Sequence, residues 1–142
     1  MNVPNLRSPY DLVGGLVYFG RMLDKIRLHS HGHLPADYHA NLGAGFDERC
    51  VTFLGLAYPS VVARVGQGGT DEVILEWCCA HGLRPSATQI EVWNAFMQKR
   101  GWKDEASARV EQIKQRAGIN RAEIVTFFDL IELDEARPPR MV

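Results

Sequence analysis

The sequence predicts an all-α protein: a compact, single-domain bundle of about six to seven short and medium helices. Three observations carry this expectation. Apolar residues recur at three- and four-residue intervals along most of the chain. Helix-start residues and glycine stops punctuate it from Thr70 to Leu133, and strand-like character is confined to LVYF (residues 16–19), which glycines bracket. No repeat of solenoid period is present.

At the start of the chain, Ser8, Pro9 and Asp11 form a helix-start signature. The hydroxyl caps open amides, proline suits a first turn and the carboxylate suits the dipole, so a turn of helix is expected there. Gly14 and Gly15 each cost about 1 kcal/mol inside a helix relative to alanine, which predicts a bend or a close backbone approach instead of continuation. From Tyr18 to about Ser30, Phe19, Met22, Leu23 and Ile26 define the core face of the first long helix. Gly32 and Pro35 then read as a stop and a turn.

A short helix is expected from Asp47 to Leu54 with Cys50, Phe53 and Leu54 on one side. A further one carries Val61, Val62 and Val65 and ends at the Gly66–Gly69 stretch. Thr70, followed by Asp71 and Glu72, opens a helix that runs to His81 with Gly82 as its cap. Ser86 and Gln89 form a capping box for a helix to Arg100, whose apolar face is Ile90, Trp93, Phe96 and Met97, with Asn94 as a polar point within it. Asp104 opens the next helix, with Ala106, Val110, Ile113 and Ala117 on one face and Gly118 as its stop. Asn120 and Glu123 cap a last helix bearing Ile124, Phe127, Phe128 and Ile131. The domain is expected to occupy residues 1–133, leaving 134–142 as a frayed, flexible tail.

Composition narrows the classes of function. Sixteen Lys and Arg against seventeen Asp and Glu give a formal charge of −1, so the molecule as a whole has no electrostatic bias toward nucleic acid or an anionic membrane. RAGINRAEI has the look of a helix-turn-helix joint, and residues 99–121 are basic. The helix after it, however, carries Glu123, Asp129, Glu132, Asp134 and Glu135, which would face phosphates with like charge, so no nucleic acid partner is expected. The longest apolar run, Leu12–Gly20, falls far short of the ~20 residues that span a bilayer, and no targeting peptide is recognisable; the expected compartment is the cytoplasm. Cys50, Cys78 and Cys79 form no even disulfide framework and are expected as packed thiols.

No cofactor motif is found. The glycines at 66–69 are not followed by the Lys-Ser/Thr pair of a phosphate loop. Gly32 separates His29, His31 and His33, and neither these histidines nor Cys78, Cys79 and His81 have zinc-ligand spacing, so no metal is expected.

The candidate binding residues lie on the second face of the first long helix. Arg21 and Lys25 are like charges one turn apart, which destabilises an isolated helix by a few tenths of a kcal/mol, and Asp24 stands between them. A solvated charged face explains the pattern in one way. In the other, Tyr18, Arg21 and Lys25 converge on a carboxylate or phosphate, arginine supplying a planar fork, lysine a point charge and Asp24 orienting the arginine. No nucleophile–base arrangement accompanies them, so catalytic residues are unassigned.

The segments LRSPYD, GGLVYFGRMLDKIRL, GFDERC, WNAFMQKRGW and FFDLIELDE together resemble a small bacterial family known as a domain of unknown function, number 5069. The likeness covers nearly the whole chain. It implies a bacterial cytosolic protein and brings no catalytic residue or cofactor with it, and the histidines around Gly32 lie outside the family pattern.

Two functional expectations follow. The first is a small-anion binding module or enzyme using Tyr18, Arg21, Asp24 and Lys25. The second is an interaction module that docks a protein partner, or a second copy of itself, through Tyr58, Trp77 or Trp102, since aromatics and arginine dominate binding hot spots. Trp102, just past the Gly101 stop, is expected to fold back onto the preceding turn.

Overall fold

The computed structural model describes residues 1–140. Its elements are α1 (Phe19–Ser30), a 3-10 helix (Ala36–Asn41), α2 (Phe46–Phe53), α3 (Tyr58–Gly66), α4 (Asp71–His81), α5 (Ala87–Lys99), α6 (Ser107–Ala117) and α7 (Phe127–Asp134). Among the described residues the architecture is all-helical, with seven α-helices and the 3-10 helix, one element more than the upper expectation.

α1 is the axis of the fold. It packs against α3, α2 and α4 also pack against α3, and α5 packs against α7. Nine of its twelve residues are buried, including Arg21, Asp24 and Lys25. Phe19, Met22, Leu23 and Ile26 join Val17, Leu54, Val61, Ile74, Trp93, Met97 and Phe128 in the main core. Beside it, Leu28 meets Val3, Leu6 and Leu34 in a smaller apolar cluster that ties down the N-terminal segment.

The segment before α1 depends on the glycine pair. Val13 and Leu16 exchange two backbone hydrogen bonds (3.1 and 3.0 Å), closing a two-residue turn in which Gly14 and Gly15 both have positive φ (57° and 80°). α5 clamps that turn. The Asn94 side chain accepts from the Val17 N–H (3.0 Å) and donates to the Gly15 carbonyl (2.8 Å), while the Trp93 indole donates to the Val17 carbonyl (3.1 Å). Ser8 accepts the Tyr10 N–H in a local turn, so the expected turn of helix is replaced by a side-chain-stabilised bend.

Capping sets several boundaries. Thr70 accepts the Val73 N–H, and Ser86 and Gln89 form the expected capping box. Gly118 ends α6 in the left-handed conformation, and Gly82 ends α4 where a Cβ would run into the Leu54 carbonyl oxygen.

The structure corrects four expectations. α7 does not start at Asn120: Thr126 and Asp129 form its capping box, whereas Glu123 is drawn to the Arg121 guanidinium. α6 begins at Ser107, because Asp104 caps a preceding turn by accepting the Gly101 and Ala106 N–H groups. Phe96 is 39% exposed and Trp102 is 48% exposed; α5 buries only the narrow stripe of Trp93 and Met97. In place of a frayed end from Asp134, Glu135 is buried and Arg137 donates to the Leu6 carbonyl (2.5 Å). Residues 141–142 of the expected tail lie outside the described residues.

Asn94→Ala should therefore lower thermal stability. It strips the fully buried Val17 amide of its acceptor, which costs about 1–3 kcal/mol, or several degrees in melting temperature. Thermal unfolding followed by circular dichroism checks this, and an unchanged midpoint would show that water replaces the clamp.

Candidate functional site

A helix buried on nearly all sides cannot leave its charges in water, so each ionic residue of α1 must find a partner within the protein. The structure supplies them from distant parts of the chain. Arg21 (4% exposed) donates through both terminal nitrogens to Glu135 (2% exposed), at 2.8 and 2.6 Å, in a fork-to-fork pair. The same carboxylate accepts from the Tyr38 hydroxyl (2.9 Å) and from Arg137 (2.8 Å), so four donors converge on it. Arg137 also reaches the buried Glu132 at 3.0 Å.

Lys25 and Tyr18 share a different carboxylate. Asp47, fully buried at the start of α2, accepts from the Tyr18 hydroxyl (2.5 Å), from the Lys25 ammonium (2.9 Å) and from the Gly43 N–H (3.0 Å). Lys25 also donates to the Tyr18 oxygen at 3.2 Å. Tyr18 takes φ 73° immediately before α1, and its ring lies among Phe46 and Phe128. Asp24 faces the other way. It accepts from the Arg7 side chain (2.8 and 3.0 Å) and backbone (3.0 Å), and Asp71 at the head of α4 pairs with both Arg7 (2.7 Å) and Arg27 (2.8 Å).

Protonation follows from this geometry. Burial would raise the Glu135 carboxyl, but the Arg21 fork with Tyr38 and Arg137 outweighs it and holds the group below the ordinary glutamate value. Burial lowers Lys25, with Asp47 opposing, and burial beside Asp47 drives the Tyr18 phenol well above its ordinary value of 10.0.

The structure thus places Arg21 near Tyr38, Glu135 and Arg137, groups Tyr18 with Lys25, and turns Asp24 toward Arg7 instead of toward Arg21. Where an exogenous anion was expected, the chain's own Glu135 and Asp47 stand. An incoming carboxylate or phosphate would have to displace one of them against the high effective concentration of a tethered group. Sequence reasoning missed Arg7, Tyr38, Asp47, Asp71 and Glu135. The available signal was α1 itself, where polar residues interrupt every side of a helix flanked by apolar segments.

None of these α1 residues lines either of two grooves elsewhere on the described surface. One, of about 500 Å³, lies at the end of α6 between Lys114, Asn120 and Arg121; the other, of about 310 Å³, lies over Leu16, Leu75, Cys79 and Ile90. Among the described residues no three His, Cys, Asp or Glu side chains are placed to hold a metal ion. His29 instead packs edge-on against His39. No described helix is long and apolar enough to cross a membrane.

Of the three aromatics expected as docking groups, Tyr58 is half-buried over Gly43 and Trp77 stacks on His81. Trp102 stands out at the end of α5 with Val92 and Phe96, both exposed on that helix. The Arg49 and Arg100 guanidinium groups lie 5.2 and 5.5 Å from the Phe96 ring centre, and the Lys103 ammonium lies 5.2 Å from that of Trp102.

The family model described as a domain of unknown function (DUF5069) matches residues 3–137, and the chain belongs to that family. No curated protein matches it.

Glu135→Ala leaves Arg21 charged, buried and unpaired. We expect a loss of about 3–5 kcal/mol, a drop in melting temperature on the order of ten degrees, and partial recovery in formate but not in equimolar chloride. Thermal scans in both salts decide the matter. Glu135→Gln tests the pH dependence. The lowered carboxyl contributes stability that is present above about pH 4.5 and is lost as pH falls through its folded value, so the gap between wild type and variant should close in acid.

Proposed function

We propose that this DUF5069 protein is a non-catalytic interaction module, which docks a partner protein on the exposed surface formed by the outer face of α5 and the turn after it. The observation that carries this reading is the joint exposure of Phe96 and Trp102 with cationic groups packed over both rings. Full burial of a large aromatic is worth about 1.5–3 kcal/mol, of which Phe96 and Trp102 still have part to gain, and the same residue types, with arginine, dominate protein-binding hot spots. Val92, one turn before Phe96, extends the apolar surface along the helix.

What surrounds this surface favours binding over catalysis. The perturbed ionisable groups of α1 are enclosed and mutually paired, and among the described residues no buried side-chain nitrogen or oxygen lacks a hydrogen-bond partner. Enzyme sites keep such groups in a cleft beside substrate. The small-anion reading loses its advantage for the same reason, since its cations already hold carboxylates. A cytoplasmic setting suits the module: Cys50 and Cys78 are buried thiols, and Cys79 is a partly buried one.

Panning a random peptide display library against the immobilised protein tests the proposal. Selected peptides should lose tenfold or more in affinity for the Phe96→Ala/Trp102→Ala double variant, compared at a temperature where circular dichroism shows both proteins folded, since Phe96 is more than half covered and its truncation also removes packing. Peptides that bind the double variant equally well, or a screen that yields no binder, would sink the assignment. Selection of this chain's own segments would make the partner a second copy.

A further inference from the structure

We infer that the partner segment is acidic: a peptide stretch presenting carboxylates beside a large apolar side chain. This rests on the docking reading above and adds the chemistry of the occupant.

The charge distribution carries it. Among the described residues, ten of the sixteen lysines and arginines make an ion pair, and Arg49, Arg64, Lys99, Lys103, Arg109 and Arg116 make none. Three of these six belong to the Phe96–Trp102 surface. Arg49 lies over Phe96, Lys103 lies over Trp102, and Lys99 sits on α5 between them, its carbonyl accepting the Trp102 N–H. In a protein that answers every cation of α1 with a carboxylate, unpaired cations beside both exposed aromatics are a local departure.

Geometry sharpens the point. A guanidinium that lies against a ring still carries N–H donors that can meet a carboxylate fork. The Arg49 side chain makes no hydrogen bond within the described residues, so all five donors are open, and Arg100 has only long contacts, 3.4 Å to Glu105 and 3.5 Å to Asp104. Glu48 is turned to the Thr52 hydroxyl, and the Glu105 side chain is 93% exposed, so neither neutralises Arg49. A peptide covering Phe96 or Trp102 would bring its carboxylates near Arg49 or Lys103, the unpaired cations that lie over those rings. A phosphate backbone would meet the same cations, but the exposed aliphatic Val92 one turn before Phe96 favours a peptide that carries an apolar side chain.

The test uses the full-length protein and the display library, with the strongest selected peptide synthesised and measured by fluorescence anisotropy. Surface-dependent peptides should be enriched in Asp and Glu next to Leu, Phe or Trp. Arg49→Gln and Lys103→Gln, both at exposed positions, should each weaken binding several-fold, and the Glu-to-Gln version of the peptide should bind about tenfold more weakly. Affinity should fall as salt rises.

Peptides that depend on Phe96 and Trp102 but show no acidic enrichment, or that bind Arg49→Gln and Lys103→Gln unchanged, would overturn the acidic partner while leaving the docking module standing. Binders indifferent to Phe96 and Trp102 would remove both. Single-stranded oligouridine that binds more tightly than the best acidic peptide would replace the peptide partner with nucleic acid.

Discussion

The pairing of Arg21 with Glu135 is the interaction on which the rest of the arrangement depends. A guanidinium on the central helix is taken out of water, and the carboxylate that makes this tolerable arrives 114 residues later in the chain. Breaking such a buried pair from one side costs several kcal/mol, whereas replacing both partners by apolar groups of the same shape can be neutral. The pair therefore contributes more to specifying which segments meet than to net stability. It requires α7 to end beside α1, the 3-10 helix to present Tyr38 and the N-terminal segment to lie where Arg137 reaches the Leu6 carbonyl. Asp47 does the same for α2, and Asp71 does it for α4.

This constraint explains what the sequence disclosed and what it withheld. Local signals were sufficient where one turn of chain decides the outcome. The capping box at Ser86 and Gln89, the Thr70 cap and the Gly118 stop each satisfy backbone groups with residues a few positions away, and each was legible. The glycine pair before α1 was legible as a bend, although its partner Asn94 was not, because that hydrogen bond spans 77 residues. The α7 boundary was misplaced because two capping signals compete within seven residues, and the one at Thr126 also buries Phe128.

The candidate site was only half legible. Tyr18, Arg21, Asp24 and Lys25 stand out in the sequence because like charges stacked on a helix require a reason. That reason was burial, which periodicity cannot reveal when polar residues occupy part of the core face. The exposed surface failed in the opposite sense. Phe96 has the spacing of a core residue, but α5 buries only the stripe of Trp93 and Met97, which excludes it, and Trp102 is half exposed with Lys103 over its ring instead of folding back. Apolar character in the sequence measures what a side chain would gain from burial and not whether the fold leaves room for it.

Tyr18 shows how tightly the charge network and the backbone are coupled. A bulky residue at φ 73° is strained by about 1–3 kcal/mol, and such a conformation persists only where its surroundings over-determine it. Here they do so three times. The Tyr18 N–H donates to the Pro9 carbonyl (2.8 Å), the Tyr18 carbonyl accepts the Met22 N–H to begin α1 (2.9 Å), and the phenol reaches Asp47 beside Lys25. Glycine would relieve the backbone but forfeit the ring and its hydroxyl, leaving Lys25 and Asp47 to share a site with one donor fewer. The strained residue is thus retained because it joins the N-terminal turn, the first helix and the buried ion pair at a single point, and the three cannot be optimised separately.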